Sequence, residues 1–178
     1  EAPDAANYGG IGAVIGHEIT HAFDNDGAEF DGHGNLVFWW TQDDYDAFSE
    51  LSAQVGAQYE DLELDSGLTI KGDLTLGENI ADLGGVQASY LGLVLALEDA
   101  GTPITIEQER TYFIAFAQLW RAISTPEYEE WLVENDPHSP HAVRSVQPLR
   151  NMDEFHEAFD ITRTDDEYLP PRDRIIIW

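Results

Sequence analysis

Gly9 to Asp24 reads G-G-I-G-A-V-I-G-H-E-I-T-H-A-F-D. Ile11, Val14, Ile15, Ile19, Ala22 and Phe23 recur at roughly helical spacing, which predicts a helix from about Ile11 to Phe23. On it His17 and His21 stand about one turn apart, so both imidazoles reach toward one point, while Glu18 sits one step round the flank. H-E-x-x-H in this setting suits a divalent metal, with Glu18 as general base toward a metal-activated water. Histidines so spaced also occur as solvated surface pairs, and five residues alone leave that alternative open. Gly12 and Gly16 precede the pair and leave room for another element to lie close. In a plain surface helix each would cost ~1 kcal/mol against Ala.

A catalytic zinc takes three protein ligands and keeps a fourth position open. The chain has no cysteine, so the third ligand must come from His, Asp or Glu. Thr75 to Gly85, T-L-G-E-N-I-A-D-L-G-G, offers Glu78 and Asp82 on one helical face, continued by the small Gly85 and Ser89. Two roles are open to Glu78: capping the Thr75 amide in a Thr-x-x-Glu box, or ligating the metal. Asp24 and Asp82 are the candidates to accept the outer N–H of the two imidazoles.

Outward from these motifs, 178 residues with 43% hydrophobic and 11% aromatic content fit one globular domain over residues 1–178. Against 35 Asp plus Glu stand 8 Lys plus Arg, a formal charge of −27, which excludes a nucleic-acid or anionic-membrane surface. No apolar run approaches the ~18 residues of a membrane span. Turns are expected from Asn25 to Asn35, and a helix after Thr41, which Thr41 caps. A linker or short hairpin is expected from Asp61 to Leu74, and a long helix from Leu76 to Asp99. Further helices are expected from about Glu107 to Ile123, after Pro126, and from Asn151. The expected architecture is therefore mainly α with a few short strands.

Two other functional classes are open to these residues. An EF-hand loop begun at Asp24 needs Gly at its sixth place and Glu at its twelfth, where Glu29 and Asn35 stand, which leaves only a looser calcium site. A scaffold or interaction domain that keeps a metal for stability has no need of a general base such as Glu18 beside the ligands.

Asn7 to Asp24 and Gly77 to Gly85 closely resemble the neprilysin family of zinc metallopeptidases. Leu36 to Gln42 (L-V-F-W-W-T-Q), Phe116 to Trp120 (F-A-Q-L-W) and Asp136 to Pro140 (D-P-H-S-P), with Arg144 beyond, extend the resemblance over essentially the whole chain. It implies a zincin-type, thermolysin-like (gluzincin) helical catalytic subdomain. Zinc would be held by His17, His21 and Glu78, with Glu18 as acid/base and Asp24 and Asp82 behind the histidines. It further implies that His138 meets the developing oxyanion, oriented by Asp136, and that Arg144 meets the substrate carbonyl. Val14, Leu119 and Trp120 would line an apolar pocket past the scissile bond. Read from the residues alone, His138 is a solvated or turn-stabilising loop residue, Arg144 a surface charge, and the three pocket residues ordinary core.

The chain departs from the family in two places. Extracellular members end Cys-x-x-Trp, whereas this chain ends Ile175 to Trp178 without Cys. That resembles the disulfide-free bacterial oligopeptidases and favours a cytoplasmic location over secretion. His141 and Ala142 stand where Gly-Asn is usual. Such enzymes hold an oligopeptide as an added strand on a sheet edge, and 16 residues before His17 are too few to build one. The expectation is the C-terminal catalytic portion of a longer enzyme whose N-terminal lobe is its partner; alone it would bind zinc yet cleave poorly.

Overall fold

The computed structural model describes residues 2–178. Helices α1 (Asp4–Asn7) and α2 (Ala13–Thr20) run on through a wide π-helical turn at Tyr8–Gly12. They are followed by α3 (Gln42–Tyr59), α4 (Leu76–Asp99), α5 (Ile106–Leu119), α6 (Pro126–Asn135), α7 (His141–Arg144) and α8 (Asp153–Ala158). Strand pairing among the described residues is limited to two antiparallel bridges, Phe30 with Leu36 and Glu63 with Thr69. The second lies in the segment expected to form a hairpin.

Local chemistry starts several helices, at Thr41 and Pro126 as expected. Thr41 accepts from the Asp44 amide at the head of α3, Thr105 and Gln108 form a capping box on α5, and Thr125 caps α6 with Pro126 in its first turn. Several boundaries differ from expectation, beginning with helix that already starts at Asp4 and not near Ile11. α2 stops at Thr20, whose hydroxyl donates to Gly16 O at 2.8 Å, and the Ala22 and Phe23 amides close tight turns onto Ile19 O and Thr20 O. α5 ends at Leu119, because the chain turns away at Trp120 (φ −93°, ψ 10°). α8 starts at Asp153: the Asn151 carboxamide accepts from the Ile175 amide and from Gln58 Nε2, both at 2.9 Å, and so ties down the tail instead of capping.

α4 is the axis of the molecule. Its first half packs Ile80 and Leu83 with Phe48, Val55 and Tyr59 of α3 and with Ile70, Ile175 and Ile177. Its second half packs Val86, Tyr90, Leu93 and Leu97 with Tyr112, Phe113 and Phe116 of α5 and Phe155 of α8. α2 crosses between the halves at Gly16 and Gly85. A Cβ on Gly16 would lie 2.7 Å from Gly85 O, and one on Gly85 would lie 2.5 Å from His17 N, so the two backbones touch with no side chain between them. The Gly12 position is looser, with its nearest neighbours at 3.4 Å and beyond.

Candidate metal centre

The glycine crossing sets α2 beside the first turn of α4 and brings His17, His21 and Glu78 together, with one ligand atom from each within 4.8 Å of the other two. His17 Nε2 lies 3.2 Å from Glu78 Oε2, and His21 Nε2 lies 3.7 Å from Glu78 Oε1. The outer nitrogens are taken by carboxylates: His17 Nδ1 by Asp82 Oδ1 at 2.8 Å and His21 Nδ1 by Asp24 Oδ2 at 2.6 Å. Those partners assign the proton to Nδ1 and leave the two Nε2 atoms facing each other at 3.1 Å. Two such nitrogens beside a carboxylate suit a cation between them, either a proton or a metal ion. Glu78 Oε2 is buried and makes no hydrogen bond, so the site also holds an acceptor left free for an ion. This donor set of two imidazoles and one carboxylate fits zinc.

The imidazoles and carboxylates of the site support one another's charge. Burial alone would lower the His17 pKa, but Asp82 and Glu78 outweigh it and push it up to about 9. Burial raises the Glu78 carboxyl, and His17, His138 and His21 together bring it below its ordinary value. Thr75 makes no cap with Glu78: its hydroxyl accepts from Asn79 Nδ2 at 2.9 Å and donates to Lys71 O at 3.3 Å. The capping alternative for Glu78 therefore does not hold. Glu18 is exposed on the flank of α2 beside His17.

The D-P-H-S-P loop lies against the same helix. His138 Nδ1 is held by Asp136 Oδ1 at 2.7 Å, and its Nε2 comes within 3.1 Å of Glu78 Oε2. Burial raises the Asp136 carboxyl, and the His138 amide and ring overcome this and hold it below its usual range. Arg144 is buried, with Nε and Nη2 donating to the two oxygens of Asp82 at 2.7 and 2.8 Å. Val14 is half-buried, Leu119 is 39% exposed, and Trp120 packs partly buried beside Arg144.

Two links lie beyond the sequence reading. One is the Arg144–Asp82 pair, which spans 62 positions. The other is Ser139 Oγ donating to the fully buried Asn79 Oδ1 at 2.7 Å, which pins the His138 loop to α4. A polar Asn at a core position of an apolar helix was the available signal. The acidic stretch from Asp24 to Asp31 forms no second metal cluster among the described residues. Asp24 Oδ1 instead accepts from the Asp26 and Gly27 amides and shapes a turn.

Two crossed helices converge a histidine pair and a distant glutamate on a candidate metal centre that contains the H-E-x-x-H sequence. The chain belongs to peptidase family M13, whose family model matches residues 1–175. It is 39% identical over 178 residues to a Neutral endopeptidase of Lactococcus lactis, covering 100% of this chain and 27% of that one. Over 184 residues it is 40% identical to Neprilysin-1 of Caenorhabditis elegans, covering 99% and 24%. Among solved structures it superposes on the Mycobacterium tuberculosis zinc metalloprotease Zmp1 in complex with an inhibitor, with a TM-score of 0.93 and 41% identity over 99% of this chain and 28% of that one. PepO of Lactobacillus rhamnosis gives 0.90 and 34% over 98% and 26%. The chain thus spans about a quarter of the length of these relatives, and it shares the helical fold and the neprilysin kinship that its motifs indicate.

Proposed function

We propose that residues 1–178 are the metal-holding catalytic domain of a zinc-dependent endopeptidase that hydrolyses peptide bonds in oligopeptides, working with further chain of the same enzyme. The observation that carries this reading is the convergence of the His17 and His21 Nε2 atoms on the Glu78 carboxylate, with Glu18 free and exposed alongside. Membership of a peptidase family supports it. When bound, zinc supplies Lewis acidity toward water and the scissile carbonyl.

The chain's own residues carry the rest. Glu18 takes the proton of the attacking water and returns it to the leaving amine. His138, held by Asp136, donates from Nε2 to the developing oxyanion, a contribution worth about 3 to 4 kcal/mol of barrier for a single donor. Arg144 holds the carbonyl next to the cleaved bond. Asp24 and Asp82 keep the imidazoles in the tautomer that exposes Nε2. Val14, Leu119 and Trp120 offer apolar surface to the residue past the bond.

Glu18→Gln tests the reading. Metal analysis of the variant is expected to show one zinc per chain, as in the parent, while cleavage of a quenched fluorescent peptide falls to background. Turnover that survives the substitution in a pure sample would refute the general-base role. A parent chain that holds zinc yet cleaves nothing would instead mark a metal-retaining fragment or scaffold.

A further inference from the structure

Asp82 fixes the Arg144 guanidinium along one edge only. The two parallel hydrogen bonds from Nε and Nη2 stop the planar cation from sliding but leave it a hinge about that edge. The tilt is checked from the face, where Arg144 Cζ lies 3.8 Å from the centre of the Trp120 ring. Trp120 is itself held. It meets Phe116 edge to face at 6.1 Å and 71°, and it stacks beside His141, one turn before Arg144 on α7, at 6.4 Å and 22°. Among the described residues Arg144 Nη1 has no hydrogen-bond partner.

We propose that Trp120 is a positioning residue for Arg144: the indole face sets the tilt of the guanidinium so that Nη1, the nitrogen Asp82 leaves free, meets an acceptor oxygen of a bound peptide. This rests on the reading of Arg144 as the group that holds the substrate carbonyl, and it gives Trp120 a part in alignment beyond forming a pocket wall. A cation buried to this degree needs its face covered as well as its edge paired, and Trp120 is the aromatic ring stacked on it. Its Nε1–H is buried without a partner, which defines the competing use of the same ring, a direct hydrogen bond to substrate.

Two substitutions separate these uses. Trp120→Phe keeps an aromatic face and lacks the N–H; Trp120→Leu keeps apolar volume and lacks both. In the 178-residue chain without metal, arginine-selective NMR is expected to show a ring-current-shifted Arg144 Nε–H signal in the parent and in Trp120→Phe. That shift is expected to vanish in Trp120→Leu, with the helical circular dichroism unchanged. In the zinc-loaded protein, kcat/KM on a quenched fluorescent peptide is expected to fall about 2- to 30-fold in Trp120→Leu and by clearly less in Trp120→Phe, which keeps the stacked face. Equal losses in both variants would overturn the proposal and assign the indole N–H to substrate. An unshifted Arg144 signal in the parent would overturn it without reference to activity. Should the parent cleave no peptide, the 178 residues are a metal-retaining fragment on their own, and the NMR arm still decides the stack.

Discussion

Asp82 serves two partners at once, accepting from His17 Nδ1 and from both the Nε and Nη2 of Arg144 while 2% exposed. Removing it would strand a buried guanidinium and release the His17 tautomer together. Asp82→Ala is therefore expected to destabilise the chain by about 3 to 5 kcal/mol and to weaken zinc binding about 10- to 100-fold, read by denaturant titration and metal competition. A stable variant with full zinc affinity would show that neither link matters. His17 gives the pH dependence. Its pKa rises from 6.5 unfolded to about 9 in the metal-free fold. Its contribution to stability is then fully present below pH 6.5 and is lost as pH climbs through about 9. The metal-free chain should accordingly melt lower at pH 10 than at pH 6, and zinc, which competes with that proton, should bind more tightly as pH rises from 6 toward 9. How far single residues were legible follows from the range of their partners. Four-residue spacing on one helix is written locally, so His17, Glu18 and His21 could be read directly. Glu78 carries a capping pattern with Thr75, and only the approach of α2, a long-range event, decides between the roles. Arg144 and Asp82, far apart in sequence, could not be paired at all.

Between elements, the Gly16–Gly85 crossing is the ruler that sets the ligand geometry. Gly85→Ala would place a methyl 2.5 Å from His17 N, so the helices must part, and Glu78 must withdraw from the imidazoles. The expected outcome is a loss of about 1 to 3 kcal/mol in stability, typical of overpacking, with zinc affinity reduced well beyond what unfolding accounts for. Unaltered zinc affinity in Gly85→Ala would show that the crossing does not govern the centre. Small residues on both helices were visible in the sequence as an invitation to close packing. Which pair actually meets was not, because Gly12 offers the same chemistry and sits where the helices have already begun to diverge. Helix ends obeyed the same division. Caps built from adjacent residues, as at Thr41, Thr105 and Thr125, follow from sequence, whereas the early ends at Thr20 and Leu119 carry no such local signal.

At the scale of the whole molecule, a charge of −27 is answered by few ion pairs, so the folded state carries its own repulsion. Raising salt from 0.01 M to 1 M shortens the screening length from about 30 Å to about 3 Å, and the melting temperature should rise with it. A flat or falling curve would show that the acidic surface is not destabilising. The molecule also exposes an apolar stripe on α2 and the turn before it, with Ile11 60%, Ile15 54% and Ile19 62% exposed. Ile15→Lys should therefore reduce binding of an apolar dye while leaving stability within about 0.5 kcal/mol and zinc content unchanged. Finally, the carboxylate shared by His17 and Arg144 makes one lever of two grips. An occupant that pulls on the guanidinium also draws on the imidazole's support, and thermodynamic reciprocity demands the converse in equal measure. A peptide mimic that binds more tightly once the ion is added should raise the ion's affinity by the same factor, so the site would hold its ion most weakly when no peptide is bound.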